Sequence, residues 1–482
     1  MAHKEKEIDI GEHIETASFD EKENAVLEDG DYSGAVAKSD PVEIALVRKL
    51  DIRIMPILWA MYFLNYLDRN ALPQASLSTL DEDLNLQGVE YNTAISILFV
   101  GYLLMQVPSN MFITKTRPSI YLSVCMIAWA TVSACTALVQ NYGGLVAVRF
   151  FLGFVEAPFY PGALYLLSIF YTRKELATRI AWLYTGQVVS TACSGLIAAA
   201  TFSTLSGVRG ISGWRWLFII EGSVTFLVAL FGFWLLPDDP SVTKWLTIEE
   251  RELAVARIKR DTVGVKERGT AWEGLKQACA DPKTWLFCLM QNLHISAVSF
   301  NNFFPTIVNS FGFESRTTAL LLTAPPYFVS GILGIPFAWS SGHFNERSWH
   351  ISAGLALAVV GFAMSLASMD TAVRYTATFL YATGAYSVGS VILGWVSATL
   401  SQTPEKKAAA YGLVNLTANA AYVYCAYLWP KSDAPEYKIG FGTMIAFASG
   451  SIACVWIMRF WLMAINRKMR RSENEHQIAY AY

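Results

Sequence analysis

Apolar residues in this chain fall into runs of about twenty, separated by short polar stretches. A helix needs about twenty apolar residues to cross a hydrocarbon core about 30 Å thick. Read on that scale, the chain predicts twelve membrane-spanning helices. They lie near 53–75, 92–114, 119–139, 144–170, 179–203, 215–236, 284–308, 317–341, 349–368, 374–400, 409–429 and 440–464. They are called spans 1 to 12 below. Spans 5 and 11 are rich in Ala, Ser, Thr and Gly, the residues that let helices pack closely in lipid. Pro108, Pro158, Pro161, Pro325 and Pro326 are expected to interrupt spans 2, 4 and 8, because proline removes a backbone hydrogen bond.

Most connections are short, but the one from about 237 to 283 is long and charged, and its WLTIEEREL and ARIKRD stretches read as a short amphipathic helix. The expected organisation is a polar, disordered tail over 1–45 and a six-helix bundle over 46–237. A linker over 238–283, a second six-helix bundle over 284–465 and a tail over 466–482 complete it. The first forty residues carry no apolar core of a signal peptide.

Composition sharpens this picture. Of the 482 residues, 54% are hydrophobic and 16% charged, against about 25% charged in an average soluble protein. The net charge of −2 gives no basic face for nucleic acid. The seven cysteines have no metal-like spacing and read as small packing residues. No phosphate-binding glycine loop, GxSxG or HExxH pattern is present, so neither an enzyme nor an ATP-driven pump is expected, and no cofactor or metal. Lys115, Arg117, Arg173, Lys174, Lys406 and Lys407 fall on one side, with the linker and both tails. The other side holds only Arg209, Arg215, Arg316, Arg374, Lys431 and Lys438. This bias puts both termini in the cytoplasm.

Within the spans, ionisable residues are few. An ionised side chain at the bilayer centre costs about 2.5–3.5 kcal/mol and persists where it is paired or faces water. Asp68 and Arg69 are adjacent in span 1. Arg149 and Glu156 lie in span 4, seven residues apart and so on one helix face, about 10 Å apart along the axis. Asp68 and Arg69 are expected to supply their counter-charges. In this reading Asp68 and Glu156 carry protons, Arg69 and Arg149 hold an anionic substrate, and Gln187 and Asn302 add hydrogen bonds to it. Fixed salt bridges between spans 1 and 4 are the alternative. Glu221 in span 6 reads as helix packing or gating, and His294 in span 7 as a satisfied neutral histidine. Asn65, Gln106, Asn110, Asn301, Asn415 and Asn419 form a further polar set.

The runs NYLDRNAL, GYLLMQVPSNMF, RFFLGFVEAPFYPG and GWRWLFIIEG with LPDDP, together with LLTAPPYFV and GWVSATLSQT, resemble the major facilitator superfamily. More narrowly, the chain resembles the anion:cation symporters of the fungal allantoate permease branch, over about residues 45–465. The resemblance implies an all-α integral membrane protein, with two six-helix bundles and alternating access. It also implies proton-coupled movement of a small organic anion such as a vitamin or ureide, by a monomer in the lipid bilayer of the plasma membrane. By resemblance, the acids Asp68 and Glu156 serve proton coupling, and Arg69 and Arg149 lie near the substrate. Gln106, where relatives carry Glu, TKTRPS after span 2 and SSGHFNER after span 8 depart from the family pattern. Uptake is the first expectation. Efflux of a fungal secondary metabolite is the alternative.

Overall fold

The computed structural model describes residues 40–113, 116–262, 271–313, 315–344, 346–400 and 403–471. Most of both expected tails, the middle of the linker and the side chain of Asn110 lie outside the described residues. The first half holds α1 (Pro41–Ala75), α2 (Glu90–Ile113), α3 (Pro118–Cys135), α4 (Tyr142–Glu156), α5 (Phe159–Phe170), α6 (Arg173–Leu205) and α7 (Gly213–Leu235). The linker holds α8 (Ile248–Thr262) and α9 (Ala271–Ala280). The second half holds α10 (Pro282–Val298), α11 (Phe304–Asn309), α12 (Arg316–Leu322), α13 (Ala324–His343), α14 (Ser348–Ala367), α15 (Thr371–Thr399), α16 (Pro404–Cys425) and α17 (Lys438–Arg471).

Every predicted span is helical. Among the described residues, eight helices are long and apolar enough to cross a membrane by length and composition. Spans 1, 2, 7 and 11 fall outside that set but stand as helices where the sequence put them.

Local chemistry fixes where helices begin and break. Spans 1, 3, 7 and 11 each open with proline at the first helical position, where its missing N–H costs nothing. Asp40, Asp281 and Thr403 cap three of these starts through side-chain oxygens, satisfying free backbone donors. Span 4 breaks between Glu156 and Phe159, around Pro158, and span 8 breaks at Thr323, just before Pro325 and Pro326. Pro108 departs from expectation, for α2 runs through it. Span 7 breaks instead, into a 3-10 turn over Ser299–Phe303.

Within the first half, α2 packs on α4, α3 on α7, and α1 on α6 and α7; within the second, α14 packs on α15 and α17, and α10 on α16 and α17. The α2–α4 crossing is the tightest. A Cβ on Gly153 would sit 1.9 Å from the carbonyl oxygen of Leu98, and one on Gly101 2.2 Å from that of Phe150. Only glycine permits this backbone-to-backbone approach.

The halves meet through α6 against α13 and α2 against α16. Asn92 donates to the carbonyls of Ala426 (2.6 Å) and Trp429 (3.3 Å), and Ser96 donates to that of Val423 (2.8 Å). Arg316 donates to the carbonyls of Leu77 and Ser78, and Lys431 pairs with Asp81. These bonds gather at the end away from the linker.

Among the described residues, the ion pairs at the linker end stay within one half. Arg257 of α8 pairs with Glu175 at 2.5 Å, and Lys49 with Glu250 at 2.7 Å. That ammonium holds the Glu250 carboxyl below the ordinary carboxylate range. On the other side, Gln277 of α9 accepts from Thr403, and Lys406 pairs with Asp281 at 2.7 Å. The linker therefore contains two helices where the sequence suggested one, each fastened to a different half.

Replacing Gly153 by leucine is expected to push α2 and α4 apart and cost about 2 kcal/mol or more. Thermal unfolding followed by size-exclusion fluorescence should show a lower midpoint, and an unchanged midpoint would mean the crossing has slack.

Candidate solute site

The site is built on one stripe of α1. Tyr62, Asn65, Tyr66 and Arg69 recur at i, i+3, i+4 and i+7, so they share a face. Opposite them, α4 delivers Glu156 at its last turn, just before the Pro158 break. Glu156 is 1% exposed. Its Oε1 accepts from Asn65 Nδ2 at 2.9 Å, and its Oε2 from Arg69 Nη2 at 2.9 Å and Nε at 3.2 Å. Three donors thus replace the water that the carboxylate loses on burial.

Arg69 is held from both sides by aromatic rings. Its guanidinium carbon lies 5.1 Å from the ring centres of Tyr66 and Tyr102 and 5.9 Å from that of Phe99. Such contacts stabilise a cation and fix the plane of the fork. Its side chain keeps 13% exposure, whereas the Glu156 side chain has none. Of the two partners, the cation therefore keeps the greater exposure.

The aromatic wall continues outward. Tyr62 lies 5.6 Å from Tyr160 and 5.1 Å from Tyr66. The Tyr62 hydroxyl donates to Gln187 Oε1 at a long 3.5 Å. From the second half, Tyr422 stacks on Phe99 at 4.4 Å. Deeper between the halves, Asn70, Gln74, Ser194, Asn301 and Tyr327 line a cleft with about 10 Å³ of room for water. That is too tight for a solute.

The expected residues do not all converge. Arg69, Glu156 and Gln187 are brought to one region. Asp68 is not, which corrects the expectation that it would be a counter-charge to Arg149. It is fully buried behind α1, where Oδ1 accepts from Ser133 (3.1 Å) and Oδ2 from Thr225 (3.0 Å) and Trp129 (3.2 Å). Adjacent residues on a helix diverge by about 100°, so Asp68 and Arg69 face different neighbours.

Arg149 shares the Glu156 face of α4, as expected, but two turns away it meets α2 instead of α1. It is 2% exposed, donates to the carbonyl of Ala94 at 3.5 Å, and leaves Nη1 without a partner. Asn302 is buried and does not line the cleft, whereas its neighbour Asn301 does and accepts from Tyr327 at 2.7 Å. His294 places one ring nitrogen 2.9 Å from the carbonyl of Ala385 and leaves Nδ1 unpartnered, so its neutral reading is half satisfied. Glu221 is buried with Oε2 unpartnered. The rings of Tyr66, Tyr102 and Phe99 were missed, although the spacing from Tyr62 to Arg69 already put Tyr66 beside the cation.

Comparison with known proteins agrees with this architecture. Residues 58–424 match the family model described as Major Facilitator Superfamily. The MFS-type transporter efuF of Hormonema carpetanum is 33% identical over 444 residues, covering 90% of this chain and 88% of that protein. The major facilitator-type transporter hxnP of Emericella nidulans is 32% identical over 449 residues, covering 91% and 89%. Among solved structures, a bacterial homolog of the human lysosomal transporter Spinster matches with a TM-score of 0.65. Its sequence identity is 14%, over 84% of this chain and 96% of that one.

Truncating Asp68 to alanine strands three buried donors and should cost about 3 kcal/mol. A thermal midpoint equal to that of the parent protein would show that those donors find other partners.

Proposed function

From the chain's membership of the Major Facilitator Superfamily, a family of multi-pass membrane transporters and not of enzymes, we propose that it moves a small organic anion by proton-coupled alternating access. The observation that carries this reading is the Arg69–Glu156 pair. Arg69 is the more exposed partner of that pair, and the aromatic rings that cage it fit the organic body of a solute. Glu156 is the acid that balances it.

The mechanism follows from charge. An anion arriving at Arg69 competes with Glu156 for the guanidinium. Glu156 then loses its counter-ion in a buried setting and takes up a proton. Loaded with both, the site carries no excess charge, and the halves rock about it. On the other side the anion leaves, the proton follows, and the ion pair reforms. Asp68 lies outside this exchange in our reading and braces α1 against α3 and α7. Gln187 reaches the solute through the Tyr62 edge. The linker and both termini lie on the cytoplasmic side, a reading that the asymmetry of Lys and Arg supports.

For direction, we read export of a fungal secondary metabolite, which in this cycle leaves together with its proton down its own outward gradient; the likeness to fungal MFS-type transporters supports this reading. The second reading is uptake across the plasma membrane. It is favoured by the Asp68-Arg69 and Arg149…Glu156 patterns, which resemble those of allantoate permease-type symporters. A strain lacking the gene separates the two. Export predicts that a carboxylate metabolite builds up inside the cells. Uptake predicts slower growth on an organic anion as nutrient.

In proteoliposomes, Glu156→Gln is expected to abolish accumulation of radiolabelled carboxylates under an imposed pH gradient while leaving solute exchange in place. Normal accumulation would end the coupling role of Glu156. Arg69→Lys loses the two-pronged fork. Its affinity for the transported carboxylate should fall about tenfold, equivalent to one charge-assisted hydrogen bond of about 1.5 kcal/mol. Unchanged affinity would remove Arg69 from the site.

A further inference from the structure

Three residues of α2 meet the second half in register. Asn92, Ser96 and Phe99 stand at i, i+4 and i+7, so they share one face, over about 10 Å of helix axis. Across from them, α16 ends at Cys425 and passes into a 3-10 turn over Ala426–Leu428. The last carbonyls of a helix have no partner within it. Here the first half supplies the donors: Asn92 to the carbonyls of Ala426 and Trp429, and Ser96 to that of Val423. Beside them the Thr93 hydroxyl meets that of Tyr427 at 3.1 Å. Side chains of one half thus complete the end of a helix in the other.

Further along α2 the seam passes from hydrogen bonds to rings. Phe99 stacks on Tyr422 with centres 4.4 Å apart and planes 17° from parallel. Among the described residues, the other ring contact between the halves is Tyr91 with Phe303, edge-on at 6.1 Å. Phe99 is 3% exposed, so the stack is closed to water.

Phe99 has a second partner. The guanidinium carbon of Arg69 lies 5.9 Å from its ring centre, and Tyr102, three residues on, lies over the same cation. One side chain therefore touches the second half through Tyr422 and the candidate site through Arg69. Along α2 from the end away from the linker, the order is donors to α16, then the stack between the halves, then the cage of Arg69.

Alternating access requires that end to part. The hydrogen bonds sit where water can replace them, so each is worth little net. The stack has no such substitute, because separating it exposes two apolar rings. It is also the contact of this seam nearest the cation.

We propose that the α2–α16 seam is the gate at the end away from the linker, with the Phe99–Tyr422 stack as its innermost bar. Phe99 is then the positioning residue that ties this gate to Arg69. The proposal rests on the alternating-access reading. When the gate opens, Phe99 gives up Tyr422, and the cage of Arg69 loses a wall that the second half had held in place.

Distances measured without any solute test this, so loss of the coupling role of Glu156 would leave the result untouched. Spin labels are attached to p-acetylphenylalanine at Gln87 and Met369. These positions are exposed at the gate end of the first and second half, and the seven native cysteines stay in place. Full-length protein in phosphatidylcholine nanodiscs is measured by double electron–electron resonance. Asn92→Ala removes two seam bonds and should add a longer distance to the short one of the parent protein. In that background Phe99→Leu should raise the ratio of long to short about threefold to tenfold, the worth of one aromatic pair. Tyr422→Leu should do the same from the other half, and serves alone if Phe99→Leu does not fold. Phe99→Tyr keeps a ring and should leave the ratio as it was. Arg69→Lys should shift the ratio when Phe99 is present and not when leucine replaces it. Elution and thermal midpoint check that each variant is folded. Three results would overturn the proposal: an unchanged single distance in Asn92→Ala, a ratio indifferent to loss of either ring, or an equal effect of Arg69→Lys with and without Phe99.

Discussion

A carboxylate cannot be left bare inside a membrane protein, and this fold is arranged around one that is not. Glu156 has lost all contact with water and has gained three donors, two of them from a single guanidinium. Removing either partner of such a pair leaves the other costly to bury. Much of the first half can be read as what holds the pair in register. Gly153 and Gly101 bring α4 against α2, the Pro158 break ends α4 at the acid, and the ring cage keeps the fork of Arg69 flat. The cation is the more exposed partner of the pair.

The other buried charges differ in kind. Asp68 is surrounded by hydroxyl and indole donors and makes a fixed joint among three helices. Arg374 of α15 is fully buried. It donates to the carbonyls of Pro435 and Glu436 and lies over Phe311, tying the far-end loops together. A charge inside the bundle thus says little by itself. What its neighbours leave free decides between brace and site.

The fold was legible in the sequence because its signal is long-range and coarse. Twenty-residue apolar runs and a long charged linker survive any error of a few residues. The site was legible only in part. Spacing alone put Arg149 and Glu156 on one face, and charge alone made Arg69 a partner for Glu156. Adjacency misled at Asp68, because sequence neighbours on a helix look in different directions. Asn301, and not Asn302, lines the small cleft for a related reason. Span 7 gives way there to a 3-10 turn, whose geometry no periodic apolar pattern announces. Pro108 shows the converse, since a proline in a well-packed helix need not end it. The rings around Arg69 come from two spans, and only their packing brings them together.

The two linker helices ride on opposite halves, α8 through Arg257 and Glu250, α9 through Gln277. Nine peptide steps join Thr262 to Ala271. Fully stretched, that backbone covers about 30 Å. The linker is thus a strap of fixed maximum length, and the covalent chain itself sets an upper limit on how far the bundles can swing apart at that end.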